Sequence, residues 1–196
     1  AYYFITIDNG TGKRITTSDP ITANASLQIN TFNDYIFHEK EDVNLFAIGQ
    51  QWFGESFSIN NTQQVDLTFT DADLSKPIKV KTRGVVSSSV SSQLQVQLNG
   101  NALYDLSFFA NDHEELASAT ERFAKVAISD ENLAFNLTYT NNGNPSARSY
   151  LDYIEISGIK HLIARQKQFS FRSFEAAKAD VNTTISYTIA NANNIS

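Results

Sequence analysis

Leu133-Ala134-Phe135-Asn136-Leu137-Thr138-Tyr139 is a stretch in which large apolar side chains alternate with small or polar ones. Successive side chains of an extended chain point to opposite faces, so this alternation predicts a β-strand with one buried and one solvated face. Two other segments repeat the pattern and are expected to be strands of the same kind, with these residues on the buried parity: Ile78, Val80, Thr82, Leu94, Val96 and Leu98.

Turn-forming residues separate these strands. Asn99-Gly100 lies between two apolar segments, 94–98 and 103–108, and predicts a tight β-hairpin. Asn142-Gly143 and Asn144-Pro145 predict a second turn region. Short strands with such turns between them predict an all-β fold, a jelly-roll-like β-sandwich. Residues 111–122 show no convincing apolar face and are expected to form a loop with one helical turn at most.

The segment Tyr150–Ile156 is apolar on both parities, which predicts a central strand covered on both sides. Asp152 falls on the more apolar parity and requires a hydrogen-bonding partner there. The interpretation from sequence is that Asp152 caps the amides of a neighbouring loop, with a binding role as the alternative.

The chain is predicted to have two parts. A sandwich spanning 49–157 supplies enough strands for two layers, so the remaining strands at both ends have no edge to join. We therefore expect 1–48 and 158–196 to form a smaller β satellite packed on the sandwich, with Tyr2–Ile7 and Phe169–Ile189 sharing one sheet.

Composition excludes several classes of function. The net charge is −6 and the basic residues are scattered, so no nucleic-acid partner is expected. The chain has no cysteine, which removes disulfides and thiolate nucleophiles. No apolar run approaches the roughly 20 residues that a membrane helix needs, so the chain is not expected to span a membrane. It contains no methionine, and we expect it to be a fragment or a processed product.

Two groups of residues are candidates for binding. Trp52 and Phe53, with Glu55 beside them, could form an aromatic surface for sugar stacking, or could pack in the core as large aromatics usually do. Asp71 and Asp73 share a face in a loop, where carboxylates either hold a structural calcium ion or are simply solvated. No catalytic residue is predicted, because no nucleophile elbow is present and His38, His113 and His161 have no recognisable serine partner.

Blocks of aromatic and polar residues follow one another along the whole chain. They are Tyr2-Tyr3-Phe4 with Gly12-Lys13-Arg14-Ile15, Phe32–Glu39 with Asn44-Leu45, Trp52-Phe53-Gly54-Glu55 with Phe57, Asn142–Ile154, and Phe169 with Phe171. In this order the blocks resemble the non-catalytic β region upstream of the catalytic domain in the PorU-like sortases of the type IX secretion system, which are gingipain-like cysteine peptidases.

The resemblance implies a location on the cell surface, at the extracellular face of the outer membrane of a Gram-negative bacterium. It also implies a cysteine peptidase domain downstream in cis, and the outer-membrane barrel PorV as a partner. In this family the parent enzyme removes the C-terminal sorting domain of secreted cargo and attaches the cargo to anionic lipopolysaccharide. The His–Cys dyad of the family cannot be placed on this chain, so the resemblance predicts a non-catalytic scaffold or interaction module. The alternative is a carbohydrate-binding module of a secreted protein, which the jelly-roll pattern and the Trp52-Phe53 pair suggest.

Overall fold

The computed structural model describes residues 10, 12, 16–17, 19–45, 51–111 and 116–194 of the 196-residue chain. These residues form strands joined by short turns, and one α-helix of a single turn, α1 (Phe174–Lys178). The strands are β1 (Leu27–Ile29), β2 (Thr31–Glu39), β3 (Ser56–Phe57), β4 (Thr62–Thr68), β5 (Ile78–Ser87), β6 (Ser92–Leu98), β7 (Asn101–Phe108), β8 (Ser118–Val126), β9 (Asn132–Thr140), β10 (Arg148–His161) and β11 (Ile185–Tyr187). The all-β class predicted from the alternating pattern is confirmed.

Two antiparallel sheets pack face to face. The larger has the order β2-β10-β5-β8, with β3 also paired to β10, and the smaller has the order β4-β9-β6-β7. From β4 onward the chain crosses between the sheets at every connection except the β6–β7 hairpin, which is the connectivity of a jelly roll. Both sheets therefore present one face to a shared core and the other face to solvent.

The core consists of the inward parity of these strands. Phe135, Leu137 and Leu94 from the smaller sheet are fully buried, as are Val80 and Ile156 from the larger one. Burial of apolar surface at roughly 25 cal/mol per Å² is the main stabilising contribution to such a core. The alternation in 133–139 thus predicted both the strand and the face that it buries.

The predicted hairpin is present at Asn99-Gly100. Both residues have positive φ, 50° and 78°, as a two-residue turn with the twist of the flanking strands requires. The Asn99 Oδ1 accepts a hydrogen bond of 2.8 Å from the Ala134 amide, which ties the turn to β9. Asn142 and Gly143 also have positive φ, 49° and 83°, in the turn that precedes β10.

The central strand β10 carries a bulge between Leu151 and Tyr153. The bulge shifts the parity of the strand, so Leu151 and Asp152 are both buried although they are adjacent. Asp152 pairs with the Arg83 guanidinium instead of capping loop amides. The sequence correctly required a partner for this carboxylate but did not identify it, because the partner lies 69 residues away on β5.

A third sheet, of two strands, joins segments from the two ends of the described chain. Strands β1 and β11 pair in parallel over Leu27–Ile29 and Ile185–Tyr187, and an isolated bridge links Ile163 to Ala190. The satellite formed by the chain ends is thus confirmed as part of the fold. The predicted strand Tyr2–Ile7 lies outside the described residues, so its pairing stays a prediction.

The structure differs from expectation in two segments. Strand β2, which falls within the predicted satellite range 1–48, pairs with β10 over nine residues in the larger sheet. Strand β8 occupies a range expected to be mostly loop, and pairs with β5 over nine residues. Both lie at the sides of the larger sheet, where backbone pairing does not require the strong apolar alternation that reveals an interior strand. The division of the chain into two domains at 49 and 157 stays a prediction.

Candidate functional site

The two neighbouring aromatics Trp52 and Phe53 lie in different environments. Trp52 is 44% exposed, whereas Phe53 is 4% exposed and its ring centroid lies 6.2 Å from that of Tyr150. Backbone hydrogen bonds of 2.8 and 2.9 Å between Phe53 and Val43 hold this segment in place. The pair therefore does not offer two rings on one surface, and a binding role for Trp52 alone stays a prediction.

The side chain of Glu55 is only 8% exposed and belongs to a charged cluster at the end of β2. Its Oε1 accepts hydrogen bonds from Lys40 Nζ at 2.8 Å and from His38 Nε2 at 3.0 Å, while the buried Oε2 has no hydrogen-bonding partner among the described residues. Burial acts to raise the pKa of the Glu55 carboxyl, but the hydrogen bonds from Lys40 and His38 outweigh it and leave the pKa below its usual value. This arrangement connects β2 to the segment before β3, and Glu55 is not presented to solvent as a ligand-binding group.

Asp71 and Asp73 have separate partners within the chain. Asp71, with φ of 63°, accepts from Arg165 Nε at 2.6 Å and from a second guanidinium nitrogen of the same residue. Asp73 Oδ1 accepts from the Ser75 hydroxyl at 2.6 Å and from the Ser75 amide at 3.1 Å. These hydrogen bonds hold the pKa of each carboxyl below its usual value.

The loop does not match a calcium site well. Calcium binds six to eight oxygen ligands, and in this loop the guanidinium of Arg165 already occupies both oxygens of Asp71. Within the described ranges, no three His, Cys, Asp or Glu side chains are grouped closely enough to hold a metal ion. A structural calcium at Asp71 and Asp73 stays a prediction.

The outer face of the larger sheet carries a surface that the sequence did not reveal. Cα registers place Tyr35, Ser157, Lys79 and Lys125 in one row across β2, β10, β5 and β8. The next row along the strands is Phe37, Glu155, Lys81 and Phe123. Aromatic and basic side chains thus share a solvent-facing layer, although they come from four separate parts of the chain.

Several of these rings are exposed. Tyr35 is 65% exposed and Phe123 is 59% exposed, and Phe37 lies with its ring centroid 4.9 Å from that of Tyr153. Lys79 Nζ lies 4.5 Å from the centroid of the Phe123 ring, a cation–π contact. Apolar surface is normally scattered singly over a protein, so a cluster of exposed rings on one sheet face indicates a contact surface.

A groove of about 850 Å³ lies against this face, and we call it the sheet-face groove. Its floor is formed by the first of these rows, Tyr35, Ser157, Lys79 and Lys125. One wall is formed by Phe171, Arg172 and Phe174. The wall is fixed to β2, because the Asn33 amide donates to the Arg172 carbonyl at 2.7 Å and Asn33 Oδ1 accepts from the Phe174 amide at 3.0 Å. The groove therefore has a hydrogen-bonded sheet as its floor and a wall that is fixed to β2.

The sheet-face groove is basic in a chain that is acidic overall. Lys79, Lys125 and Arg172 line it, and within the described residues none of the three lies at ion-pair distance from a carboxylate. Two acidic residues line the groove. Asp34 is paired with Lys160 at 2.8 Å, so Glu155 is the remaining negative charge to set against the three cations. The groove thus has a net positive charge and can attract an anionic group.

The structure describes two of the three histidines. His38 contacts Glu55, His161 lies at the end of β10, and His113 falls outside the described residues. None of the helices in the described ranges is long and apolar enough to cross a bilayer.

Comparison with known proteins identifies a shared fold. No family model and no characterised protein sequence matches the chain. The structure is similar to that of dimeric latent PorU from Porphyromonas gingivalis, with a TM-score of 0.66 and 17% identity, over 86% of this chain and 16% of that chain. The carbohydrate-binding module CBM36 in complex with calcium and xylotriose matches 62% of this chain and 98% of that chain at 14% identity, with a TM-score of 0.41. The match thus spans about one sixth of the PorU chain, and this chain shares the fold of that part.

Proposed function

We propose that this chain is a non-catalytic scaffold and interaction module of a larger cell-surface protein of the PorU type. The observation that supports this proposal most is the fold likeness to PorU, which extends over 86% of this chain. The sequence blocks around Phe32–Glu39, Trp52–Phe57 and Asn142–Ile154 support the same assignment. In such a protein the module supports a cysteine peptidase domain downstream in cis and contacts the barrel PorV at the extracellular face of the outer membrane.

The chemistry of the described residues agrees with an interaction role. A cysteine peptidase requires a thiolate, and the chain contains no cysteine. The half-buried Glu55 and the buried Asp152 are each paired with a cation of the same chain, which stabilises the fold. The outer face of the larger sheet carries exposed rings beside lysines that have no ion-pair partner among the described residues, and this composition suits a protein contact.

The open reading frame that encodes this chain tests the proposal. We expect the frame to continue beyond Ser196 into a caspase-like domain that supplies a catalytic His and Cys. A stop codon directly after Ser196 would contradict the assignment. In a parent protein with that domain, removing the module should reduce the soluble yield and thermal stability of the peptidase domain, and an unchanged peptidase domain would argue against a scaffold role.

A carbohydrate-binding module is the second candidate. It is favoured by the exposed rings of Tyr35 and Trp52 on a β-sandwich, since sugars stack on exposed aromatic rings. Calorimetric titration with xylan, cellulose oligomers and lipopolysaccharide separates the two functions. Glycan binding that is lost in Trp52→Ala or Tyr35→Ala, with folding intact, would favour this candidate, whereas absence of heat with every glycan would remove it.

A further inference from the structure

Two lysines face each other directly in the sheet-face groove. Lys79 on β5 and Lys125 on β8 are Cα partners and point to the same outer face. Like charges at directly opposite positions destabilise a sheet, so the pair is unfavourable for the fold by itself. Arg172 adds a third cation from the wall of the groove. An anionic ligand that lies between these residues would neutralise the repulsion.

Apolar surface borders the cations on both sides. Tyr35 is 65% exposed at one end of the floor, and Phe174 is 58% exposed on the wall. The volume of about 850 Å³ falls within the range of roughly 300–1,000 Å³ that is usual for ligand sites. Aromatic side chains next to basic ones are also the composition of protein-binding surfaces, where Tyr and Arg dominate the binding energy.

The backbone beside the groove favours a peptide over a sugar. The Asn33 amide points away from β10, because it donates to the Arg172 carbonyl. Backbone groups alternate sides along a strand, so the amides and carbonyls of Tyr35 and Phe37 point to the same side, where β2 has no strand partner among the described residues. An extended peptide whose end lies along β2 can pair with this edge, while the rest of the peptide crosses the outer face toward Lys79 and Lys125.

We infer that the sheet-face groove binds an extended acidic peptide segment. Carboxylates of the peptide pair with Lys79, Lys125 and Arg172, and its apolar side chains pack against Tyr35 and Phe174. This inference goes beyond the proposed function and does not depend on a peptidase domain in the parent protein. It assigns a specific ligand chemistry to one face of one sheet.

The test is a fluorescence anisotropy titration of the full chain with a labelled dodecapeptide of Glu, Phe and Gly. The comparison peptide has Lys in place of every Glu. The acidic peptide should bind and the basic peptide should not, and rising salt should weaken the binding because it rests on ion pairs. The variant Lys79→Glu/Lys125→Glu reverses both charges and should lose at least about tenfold in affinity. That loss corresponds to about 1.4 kcal/mol.

The matched control is Lys167→Glu/Lys178→Glu, which changes the net charge equally at two exposed lysines that do not line the groove. This control should bind as the parent chain does. The inference is overturned if the acidic peptide does not bind, if the groove variant retains its affinity, or if the control loses affinity equally. It is also overturned if polygalacturonate binds more tightly than the acidic peptide, because the site would then be one for anionic glycans.

A single variant separates a binding role from a structural role. Lys125→Glu places a negative charge directly opposite Lys79. It should therefore raise the melting temperature while it weakens peptide binding. Circular dichroism reports the folded state of the same sample. A lower melting temperature together with unchanged affinity would show that Lys125 serves the fold and not a ligand.

Discussion

The two sheets of the sandwich have similar inner faces and very different outer faces. Outward positions of the smaller sheet carry polar or small side chains: Thr62, Gln64, Asp66, Gln93, Gln95, Gln97, Ala134, Asn136 and Thr138. The larger sheet instead presents Tyr35, Phe37 and Phe123 with Lys79 and Lys125. Packing requires only that the inner parity is apolar, so it does not explain this difference. The aromatic and basic face is therefore the one to which we assign an interaction role.

The largest expected change in unfolding free energy is for a substitution in the core that both sheets share. Phe135 is fully buried in the core, and Phe135→Ala should destabilise the chain by about 3–5 kcal/mol, through lost burial and the cavity left behind. Guanidinium denaturation of both proteins gives the value. A loss below about 1 kcal/mol would mean that this ring does not pack in a common core.

A smaller effect is expected at the cluster that holds the aromatic strand β2 in place. Glu55→Gln removes the charge that Lys40 and His38 share and should destabilise the fold by about 1.5–3 kcal/mol at pH 7, the range for hydrogen bonds to charged groups. The pKa of Glu55 lies below its usual value of 4.5 in the folded chain, so its contribution is complete above that pH and is lost as the pH falls below it.

Denaturant unfolding at pH 7 and at pH 3 measures this pH dependence. The difference in unfolding free energy between the parent chain and Glu55→Gln should be clear at pH 7 and small at pH 3. A difference of equal size at both values would show that the carboxylate charge is not what stabilises β2.

The smallest effects are expected on the two outer faces. Phe123→Ser on the larger sheet and Gln95→Ser on the smaller one should each change the unfolding free energy by only about 0.5 kcal/mol, since surface substitutions seldom do more. Urea denaturation of the two variants in parallel tests this. A loss above about 1.5 kcal/mol for Phe123→Ser alone would mean that the exposed ring stabilises the fold, and would weaken its assignment to binding.

The inner layer could be predicted from the sequence, whereas the outer surface could not. Alternation in 133–139 and the Asn99-Gly100 turn each depend on neighbouring residues, so both were visible in the chain. The sheet-face groove depends on strand register, because its floor row takes one residue from each of the four strands β2, β10, β5 and β8. One sequence signal could have predicted part of the basic face. Lys79 and Lys81 alternate with Ile78, Val80 and Thr82, which are buried, so the two lysines had to share the outward face of β5.

The most direct test of an interaction face on the larger sheet is an amide chemical-shift titration of the isotope-labelled chain with the acidic dodecapeptide. We expect the perturbed amides to cluster at Asn33–Phe37, Lys79–Lys81, Lys125 and Phe171–Phe174, while those of β4 and β9 stay unchanged. Perturbations centred on β4 and β9, or none at saturating peptide, would contradict the assignment.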